Sequence, residues 1–382
     1  MSDNDLERES EEEIDSELED LDQLLSDRVS PGGIGDNSNA NGSDTDHEAD
    51  DLDEGGAGEG ELWSETTHPV VIGNFGPPYV GPDHDLDRDS AQVLDYFMLF
   101  FYQNFFESLV IQTNLYAQQE RALAESKGQP HKLPWTPTTV QEIKAFIAMN
   151  IAMGMISRPE VNDIWSTDEL CRDSYLSRIM SRNRYWVLSK YFHLVDNANH
   201  IRDRLDPNYD PMYKCRMMID LANTRFAEVY KPKQHLSVDE AMIKFKGRHH
   251  ARQYMPKKPI KWGFKVWVLA EADTGYALKI DVYEGKARNP ERMAARQKFS
   301  LGYEVVDFLT QDYQTKHHII YYDRFFSSVE LAEHLLREDT YVNSTVMLNR
   351  KGLPLAAKKL KLKKGQACRE FQKEDLLLTV FF

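Results

Sequence analysis

The spacing of apolar residues along the chain changes near Pro232. Between residues 89 and 230, apolar positions recur every three or four residues, which is the period of a helix that buries one side. After residue 231 the apolar residues alternate with polar ones or form short unbroken runs between turn residues, as in β-strands. The sequence therefore predicts a helical region followed by a domain of α/β or mixed type.

The helical region contains four predicted helices. The first begins at Asp89 or Ser90 and carries a mostly aromatic stripe at a spacing of four, which is typical of a buried helix face. The second begins at Thr138 or Thr139, where Glu142 completes a capping-box pattern. The stripe consists of Phe97, Phe101, Phe105 and Leu109, and the other helices cover residues 138–154, 181–193 and 217–230.

The mixed domain is predicted to alternate strands with two helices. Asp273 and Gly275 belong to a tight turn that joins two strands into a hairpin. Ser327 or Ser328 caps the second helix, which continues to Leu336. The predicted strands cover residues 235–245, 263–270, 276–283, 317–322, 341–348 and 376–382, and the first helix covers residues 301–309.

Composition divides the N-terminal part of the chain into two further segments. Residues 1–65 contain 24 Asp or Glu against two Arg, a net charge of −22, and almost no large apolar side chains. Such a segment cannot bury enough surface to fold, and we predict a disordered acidic tail. Residues 66–88 are rich in Pro and Gly and are predicted to form an extended linker. The helical region at 89–230 and the mixed domain at 231–382 complete the predicted organisation.

Charge is distributed unevenly between this tail and the rest of the chain. The whole chain has a net charge of −16, but residues 66–382 hold 44 Lys or Arg against 38 Asp or Glu, a net of +6. An acidic arm beside a basic body can compete with DNA for the basic surface. We therefore expect the body to bind duplex DNA more tightly without residues 1–65.

The cysteines and the termini favour an intracellular protein. Cys171, Cys215 and Cys368 lie far apart and form no CxxC pair, so neither a zinc finger nor a disulfide framework is predicted. The N-terminus is acidic and lacks the pattern of a signal peptide. The most apolar run, at residues 96–102, is much shorter than the ~20 residues of a membrane helix. We predict a soluble protein without membrane contact or small-molecule cofactor.

Two aspartates are candidate metal ligands and catalytic residues. Asp239 lies within an apolar strand and Asp323 at the end of another, and a carboxylate in apolar surroundings needs a partner or a metal ion. Carboxylates from separate strands that share Mg²⁺ form the arrangement used in two-metal phosphoryl transfer. Either aspartate alone is also compatible with an ordinary polar residue at a strand end.

Basic residues crowd around this predicted site. They suit a phosphate backbone, since neutralisation of phosphates drives affinity for nucleic acids, although a solvated loop has the same composition. The candidates that follow Asp239 are Lys244, Lys246, Arg248, Arg252, Lys257, Lys258, Lys261 and Lys265. A second cluster, which also fits a nuclear import signal, consists of Arg350, Lys351, Lys358, Lys359, Lys361, Lys363 and Lys364.

Long ordered motifs in the chain closely resemble the signature of piggyBac transposases. In the mixed domain the resemblance is carried by SVDEAMIKFKGR at 237–248, QYMPKKPIKWGFKVW at 253–267 and YDRFFSS at 322–328. Shorter matches lie at residues 274–276, 282–286 and 349–354, and in the helical region at 180–184 and 191–197. Together they span roughly residues 80–382, so the chain is identified as a member of this family.

The resemblance implies an α+β fold in which a helical dimerisation and DNA-binding region precedes an RNase H-like mixed sheet with flanking helices. Family members perform cut-and-paste transposition at TTAA targets, using three aspartates with Mg²⁺ or Mn²⁺. Carried over by position, Asp239 is the first and Asp323 the second of these aspartates. The resemblance also implies double-stranded DNA and a second copy of the chain as partners, and a nuclear location.

The sequence departs from the family pattern in three places. The third aspartate normally lies beyond the last predicted strand, and a Cys-rich finger follows it; neither is found in residues 1–382. The residue after the second aspartate is usually Asn, and here it is Arg324. A cation next to a metal ligand competes with Mg²⁺. We therefore expect a catalytic domain that is incomplete at its C-terminal end, in a chain that binds DNA without excising a transposon.

Three functions stay open on the sequence. The first is a transposase, as a catalytic fragment or as the product of a gene model that stops early. The second is a domesticated DNA-binding protein that retains the fold without cleavage. The third is an independent RNase H-like nuclease, which needs a third carboxylate such as Asp307 or Asp312, and neither of these matches a family position.

Overall fold

The computed structural model of the chain describes residues 63–381, apart from 130–132, 157, 169, 171, 286–289 and 365. The acidic tail predicted for residues 1–65 lies outside the described residues except for its last three positions, and so does Cys171. Contacts divide the described chain into two units, one of residues 86–220 and one of residues 63–85 together with 221–381.

The first unit is helical, and one of its helices begins at the predicted cap Thr139, whereas the cap at Ser181 was not predicted. The Thr139 hydroxyl accepts a hydrogen bond from the backbone N–H of Glu142, and the Ser181 hydroxyl accepts one from Arg184. Each cap satisfies an N–H that has no partner within its own helix. The helices are α1 Val93–Phe100, α2 Gln103–Ser126, α3 Val140–Met155, α4 Leu176–Ile179 and α5 Arg182–Tyr191, with 3₁₀ turns at Val161–Trp165 and Asn197–Asn199. A further helix, α6 Tyr213–Val229, begins in this unit, and its residues from 221 onwards belong to the second unit.

The aromatic stripe runs over two helices, so the prediction of a single helix is wrong. The helix breaks between α1 and α2 because Phe101 adopts φ −120° and ψ 79°, which lie outside the helical range. The Phe101 ring nevertheless contacts those of Phe97 and Phe105, at centroid distances of 4.8 Å and 5.5 Å. Phe105 and Leu109 are buried, whereas Phe97 and Phe101 are only partly buried, so the stripe reaches the core in α2 alone.

Helices α2, α3 and α5 supply the core of this unit. Leu109, Met149 and Leu188 are completely buried. A bidentate ion pair joins α5 to the first turn of α3, with Arg184 Nε and Nη2 each 2.6 Å from a Glu142 carboxylate oxygen. The hydrogen bonds from Arg184 hold the pKa of Glu142 below its ordinary value. The capped end of α3 is thereby fixed to α5.

The second unit contains the strands and the remaining helices. Its strands are β1 Gly81–Pro82, β2 Tyr230–Lys231, β3 His235–Lys244, β4 Arg252–Tyr254, β5 Trp262–Glu271, β6 Ala277–Val282, β7 Ile319–Tyr322, β8 Tyr341–Ser344, β9 Arg369–Lys373 and β10 Leu376–Val380. Its helices after α6 are α7 Pro290–Lys298, α8 Leu301–Thr310, α9 Val329–Arg337 and α10 Leu355–Lys359. Within the described ranges, no helix combines the length and the apolar character needed to cross a membrane.

Strands β3 to β8 form one mixed sheet. β3 lies at its centre, antiparallel to β5 on one side and parallel to β7 on the other. The outer edge of β5 pairs antiparallel with β4 and β6, and β8 extends the parallel side from β7. β1 pairs with β2, and β9 with β10, as separate two-stranded sheets. A mixed sheet combined with helices confirms the predicted α+β class.

One face of the mixed sheet is buried under helices. Leu236 and Val238 point to this face together with Leu269, which pairs with Val238, because side chains alternate along a strand. All three are at most 2% exposed and pack in one cluster with apolar residues of α8 and α9 such as Val305 and Leu331. Burial of a large apolar side chain stabilises a fold by about 1.5–3 kcal/mol, so this face anchors the sheet.

The limits of β7 and β8 differ from those predicted. β7 begins at Ile319 because Thr315 and His317 adopt left-handed backbone conformations, with φ of 63° and 59°, which interrupt an extended strand. β8 ends before Thr345, whose carbonyl oxygen lies 2.6 Å from the Ser327 hydroxyl. The extension of this strand to residue 348 is therefore wrong.

Residues 63–83, most of which were predicted as a linker, form an extended segment that is part of the second unit. Trp63 Nε1 donates a hydrogen bond to the Gly352 carbonyl at 2.9 Å, and Ser64 forms a β-bridge with Gln372. At the other end of the segment, β1 pairs with β2. Both ends of the segment are thus attached to the later residues of the same unit.

Gly263 provides a test of the close pairing of β3 and β5. A Cβ at this position would lie 2.0 Å from the Ile243 carbonyl oxygen, so alanine must push the strands apart. We expect Gly263→Ala to lower the free energy of unfolding by about 1–3 kcal/mol in urea denaturation. Gly76→Ala is the matched control in the same unit, because its Cβ would meet only Asn74, at 3.6 Å. Equal stability of the two variants would contradict the close approach.

Candidate metal and nucleic-acid site

The pairing of β3 with β7 places the two candidate aspartates at the same level of the sheet. The strands run parallel, and their last registered pair is Val238 with Tyr322. Asp239 is the next residue of β3, and Asp323 is the first residue after β7. Because neighbouring strands lie about 4.8 Å apart, the two residues lie side by side at the centre of the sheet.

Both aspartates belong to the sheet face opposite the helix-covered one. Asp239 pairs with Val268 and alternates with Val238, which is buried under the helices. His235 Nδ1 lies 3.0 Å from the Tyr321 hydroxyl, so these side chains, four and two positions before the aspartates, share a face. The same alternation, continued by one residue beyond β7, assigns Asp323 to that face.

The loop after β7 holds Asp323 in place. Asp323 Oδ1 accepts a hydrogen bond from the Phe325 N–H at 2.8 Å, which closes a local turn. The Ser327 hydroxyl lies 3.1 Å from the Asp323 carbonyl oxygen. Arg350 Nη2 donates to the Phe325 carbonyl at 2.8 Å and ties the loop to a segment further along the chain. Arg324, the cation that departs from the family pattern, is exposed in this loop.

The expectation that both carboxylates lie in apolar surroundings is wrong. Asp239 and Asp323 are exposed. The alternation along β3 turns Leu236 and Val238 to the core and Asp239 away from it. An exposed carboxylate needs no partner, so burial gives no reason to expect a metal. The remaining reason to expect a metal ion is that the two aspartates lie side by side.

An ion pair between Glu240 and Lys258 lies beside the aspartates and was not predicted. Lys258 Nζ is 2.9 Å from the Glu240 carboxylate, and the two side chains are only 32% and 19% exposed. Lys258 also interacts electrostatically with Asp239 and Asp323. The available sequence signal was the alternation along β3, which turns Glu240 to the face of Val238, where a carboxylate needs a partner.

The pKa values of the adjacent Asp239 and Glu240 carboxyls are shifted in opposite directions. Asp239 is exposed by surface area, but nearby protein atoms displace part of the water around its carboxyl, and this desolvation raises its pKa. The adjacent Glu240 carboxylate raises the pKa of Asp239 further. Partial burial acts to raise the pKa of Glu240 as well. Its other interactions, of which the hydrogen bond from Lys258 is the largest, lower the pKa by more, so the pKa of Glu240 lies below its ordinary value. The hydrogen bond to Glu240 raises the pKa of Lys258. Glu240 is therefore engaged by Lys258, which leaves Asp239 and Asp323 as the candidate metal ligands.

Asp239 and Asp323 fit a divalent metal by donor type and by position. Carboxylate oxygens are the hard ligands that Mg²⁺ prefers, and a typical Mg²⁺ site takes only one or two carboxylates from the protein. Within the described part of the chain, no three or more His, Cys, Asp or Glu side chains are grouped so that they could hold a metal ion. The metal-binding and catalytic roles of the two aspartates stay predictions.

The alternative third carboxylates are engaged elsewhere. Asp307 Oδ1 lies 2.8 Å from His334 Nε2, and Asp307 belongs to α8, which covers the other face of the sheet. Asp312 forms an ion pair with Lys279 at 2.7 Å. Lys279 pairs with Leu269 and so also points to the helix-covered face. An independent nuclease that uses either residue with Asp239 therefore has no support in the fold.

The basic segment after Asp239 is a continuous part of the sheet. It comprises the end of β3, β4, most of β5 and the loops between them. Between residues 241 and 270 it contains eight Lys or Arg and no Asp or Glu. The predicted DNA contacts that are exposed in it are Lys244, Lys246, Arg248, Lys257 and Lys261, and Lys351 of the second cluster is exposed as well. These side chains are accessible to a phosphate backbone.

Lys265 does not belong to this exposed set, and its prediction as a DNA contact is wrong. The residue is only 9% exposed. It lies two positions before Trp267 on β5 and therefore on the helix-covered face. Its Nζ lies 4.9 Å from the centroid of the Phe325 ring and 5.4 Å from that of Trp267, so its charge is held against aromatic rings.

Three other predicted contacts bind the protein itself. Arg252 Nη1 lies 3.1 Å from each of two backbone carbonyl oxygens, those of Lys246 and Gly247. Arg350 supports the loop that carries Asp323, and Lys258 pairs with an acidic side chain. These residues shape the site, and their proposed contact with DNA stays a prediction.

A transposase family model and proteins derived from transposable elements resemble this chain in sequence. A family model described as Transposase IS4 matches residues 93–381. Over 248 residues the chain is 29% identical to human piggyBac transposable element-derived protein 3, a match that covers 65% of this chain and 38% of that protein. Over 312 residues it is 26% identical to human piggyBac transposable element-derived protein 5, covering 80% and 56%.

A solved structure extends the likeness to three dimensions. It is described as a cryo-EM structure of the piggyBac transposase synaptic complex with hairpin DNA. The TM-score is 0.62 at 25% identity, over 75% of this chain and 57% of that one. The matches span less than three fifths of each of these relatives.

The Glu240–Lys258 pair predicts a contribution to stability that depends on pH. The pKa of Glu240 is lowered in the folded chain, so its stabilising effect is present above the unfolded pKa and is lost as the pH falls through the folded pKa. Lys258→Met should lower the free energy of unfolding by about 1 kcal/mol near neutral pH and by much less in acid. The measurement is urea denaturation near neutral pH and in acid. The control is Lys257→Met, which changes the neighbouring, exposed lysine. An undiminished effect of Lys258→Met in acid would contradict the pair.

Proposed function

This chain belongs to the transposase IS4 family and is of the piggyBac type, and from that premise we propose that it acts on double-stranded DNA as a piggyBac-like transposase or as a domesticated derivative of one. The observation that carries the proposal is the pair of aspartates side by side on β3 and β7, next to a segment without acidic residues. A carboxylate pair suits metal-dependent phosphoryl transfer, and a basic segment suits the phosphate backbone of the substrate.

Residues 231–382 are proposed to be an RNase H-like catalytic domain. The strand arrangement supports this assignment, because three antiparallel strands are followed by two parallel ones in the spatial order β6–β5–β3–β7–β8. The first strand of the sheet is thus central and carries Asp239, and the strand beside it leads to Asp323. Residues 89–230 are proposed to form the dimerisation and DNA-binding region, with a second copy of the chain as partner.

In the proposed reaction, Asp239 and Asp323 would hold a divalent ion, Mg²⁺ or Mn²⁺. Such an ion supplies positive charge to the attacking and leaving oxygens of an in-line displacement at phosphorus. Lys246, Arg248 and Lys257 hold the flanking phosphates and fix the register of the DNA. The family reaction uses three aspartates, so we propose that cut-and-paste at TTAA needs a further carboxylate besides this pair.

A nuclear location belongs to the same proposal. Residues 350–364 contain seven Lys or Arg, and most of these are exposed. A basic run of this kind is typical of a nuclear import signal and also suits contact with a DNA backbone.

A DNA-binding derivative that does not cleave is the second candidate. Lys258 interacts electrostatically with both aspartates, and Arg324 directly follows the second, so two cations flank the carboxylate pair. Positive charge beside metal ligands competes with a bound cation. The names of the two human relatives describe those proteins as derived from a transposable element.

Strand cleavage distinguishes the two candidates. The full chain is incubated with a duplex that contains a TTAA site, in the presence of Mg²⁺ or Mn²⁺. Cleavage that is abolished by Asp239→Asn and by Asp323→Asn supports phosphoryl transfer at this site. DNA binding without cleavage supports the non-cleaving derivative. A chain that neither binds nor cleaves the duplex contradicts both.

The exposed basic residues predict the salt dependence of DNA binding. The slope of log affinity against log salt changes by about 0.9 for each phosphate neutralised. The combined variant Lys246→Ala, Arg248→Ala and Lys257→Ala should reduce this slope by about 2–3, measured by fluorescence anisotropy. Asp239→Ala is the control and should leave the slope unchanged, because it removes no phosphate contact. An identical slope in the combined variant would show that the segment does not contact DNA.

The acidic residues of positions 1–62 predict an internal competitor for the basic surface. Trp63, the first residue after this acidic segment, forms a hydrogen bond with Gly352. The point at which the acidic segment is connected to the described chain therefore lies near Arg350 and Lys351. Replacing every Asp and Glu of positions 1–62 by Asn and Gln in the full chain should tighten duplex binding, most strongly at low salt. The measurement is a salt-titrated binding curve for each chain. Coincident curves would rule out the competition.

A further inference from the structure

Two half-exposed aromatic rings, those of Tyr254 and Trp262, lie together at one end of the mixed sheet. The residues are registered partners on β4 and β5, and their ring centroids are 4.5 Å apart. Tyr254 is 52% exposed and Trp262 is 46% exposed. Large aromatic side chains gain much from leaving water, so an adjacent pair that keeps half of its surface exposed indicates a ligand surface. We call these two rings the aromatic pair.

The fold holds the aromatic pair in a fixed orientation. The Arg252 guanidinium lies 4.7 Å from the centroid of the Trp262 ring. Arg252 is itself fixed, because its Nη1 bonds two carbonyl oxygens of the preceding loop at 3.1 Å. The Met255 N–H donates to the Lys261 carbonyl at 2.8 Å and closes the loop between β4 and β5. A ligand that stacks on a preformed surface loses less affinity to the ordering of side chains.

The aromatic pair shares a sheet face with Asp239. Asp239 is registered with Val268, and alternation along β5 then assigns Val266, Phe264 and Trp262 to the same face. Trp262 lies six residues from Val268 along β5, which at about 3.4 Å per residue is at most about 20 Å. One strand of nucleic acid can therefore reach from the carboxylates to the aromatic pair.

The charge around the aromatic pair selects a polyanion. Lys257 and Lys261 are exposed within the loop that joins the two rings, and Lys246 is exposed in the preceding loop. No acidic residue occurs between positions 241 and 270. A protein ligand would need a cluster of acidic residues to match this segment, whereas DNA has a negative charge at every nucleotide.

The aromatic rings further distinguish unpaired from paired DNA. A continuous duplex presents base edges in its grooves and keeps the base faces stacked on one another. An unpaired base exposes its face and can stack on an aromatic side chain, whatever its identity. Two exposed rings within a basic segment are the combination that single-stranded nucleic-acid sites use.

We propose that Tyr254 and Trp262 form a stacking site for an unpaired DNA base, several nucleotides from the phosphate that faces Asp239. The inference rests on the proposed action on DNA and adds a substrate class, which is DNA with a locally unpaired strand. Stacking of a base on an aromatic side chain changes affinity by about 5- to 150-fold. The site therefore favours a duplex with an unpaired extension over a blunt duplex by at least about fivefold.

The test compares two DNA ligands with the full chain. One is a blunt duplex, and the other is the same duplex with a single-stranded extension of about six nucleotides, which matches the reach along β5. The wild-type chain should bind the extended duplex at least about fivefold more tightly. Trp262→Ala and Tyr254→Ala should bind the blunt duplex as the wild type does and lose this gain. Their salt slopes should match the wild type, because stacking releases no counterions.

Matched variants make the test specific. Tyr79→Ala removes a ring that is also 52% exposed in the same unit but lies outside the basic segment, and it should keep the gain. Trp262→Phe retains a ring and should keep most of it, and thermal unfolding checks that each variant is folded. The stacking site is overturned if the wild type shows no gain, or if both alanine variants retain it. A wild-type chain that binds neither ligand overturns the proposed action on DNA instead.

Discussion

The parallel pairing of β3 with β7 is the contact on which the rest of the second unit depends. Its register matches Leu236 with Ile320 and Val238 with Tyr322, and all four side chains are buried under the helices. The same register brings the next two residues of these chain segments, both aspartates, to one level on the other face. A slip by one residue would turn every side chain of β3 to the opposite face. Apolar burial and the geometry of the candidate site are therefore set together.

On the second face, charge organises the chain more than packing does. Two exposed carboxylates repel a phosphate backbone, so DNA can approach them only where positive charge offsets the repulsion. The segment from 241 to 270 supplies that charge and contains no acidic residue. Its Lys258, which forms an ion pair with Glu240, also interacts electrostatically with both aspartates. A cation in this position helps to hold DNA and at the same time competes with a metal ion. The cleaving and non-cleaving candidates thus differ in which of these effects is larger.

Much of this arrangement could be predicted where the signal is local. The hydroxyl caps at Thr139 and Ser328 and the alternation of β3 and β5 all come from neighbouring residues. The break at Phe101 was missed because apolar residues recur at every fourth position on both sides of it. Such a period shows which side chains face the core and does not show whether the helix backbone is continuous. Lys265 was wrongly predicted to contact DNA because composition gives the number of charged residues and does not show which face of the sheet each one occupies.

Features that depend on distant residues were beyond the sequence. The segment that begins at Trp63 has the composition of a linker, yet its partners lie at Gly352 and Gln372, close to the other end of the chain. The ion pair of Glu240 likewise depends on how the loop before β5 folds back. Mn²⁺ binding, followed by electron paramagnetic resonance, tests most directly whether Asp239 and Asp323 form one metal site. Each of Asp239→Asn and Asp323→Asn should weaken binding by about tenfold or more, the double variant should add little, and Asp312→Asn should have no effect. Equal Mn²⁺ affinity in the wild type and in both single variants would contradict a shared site.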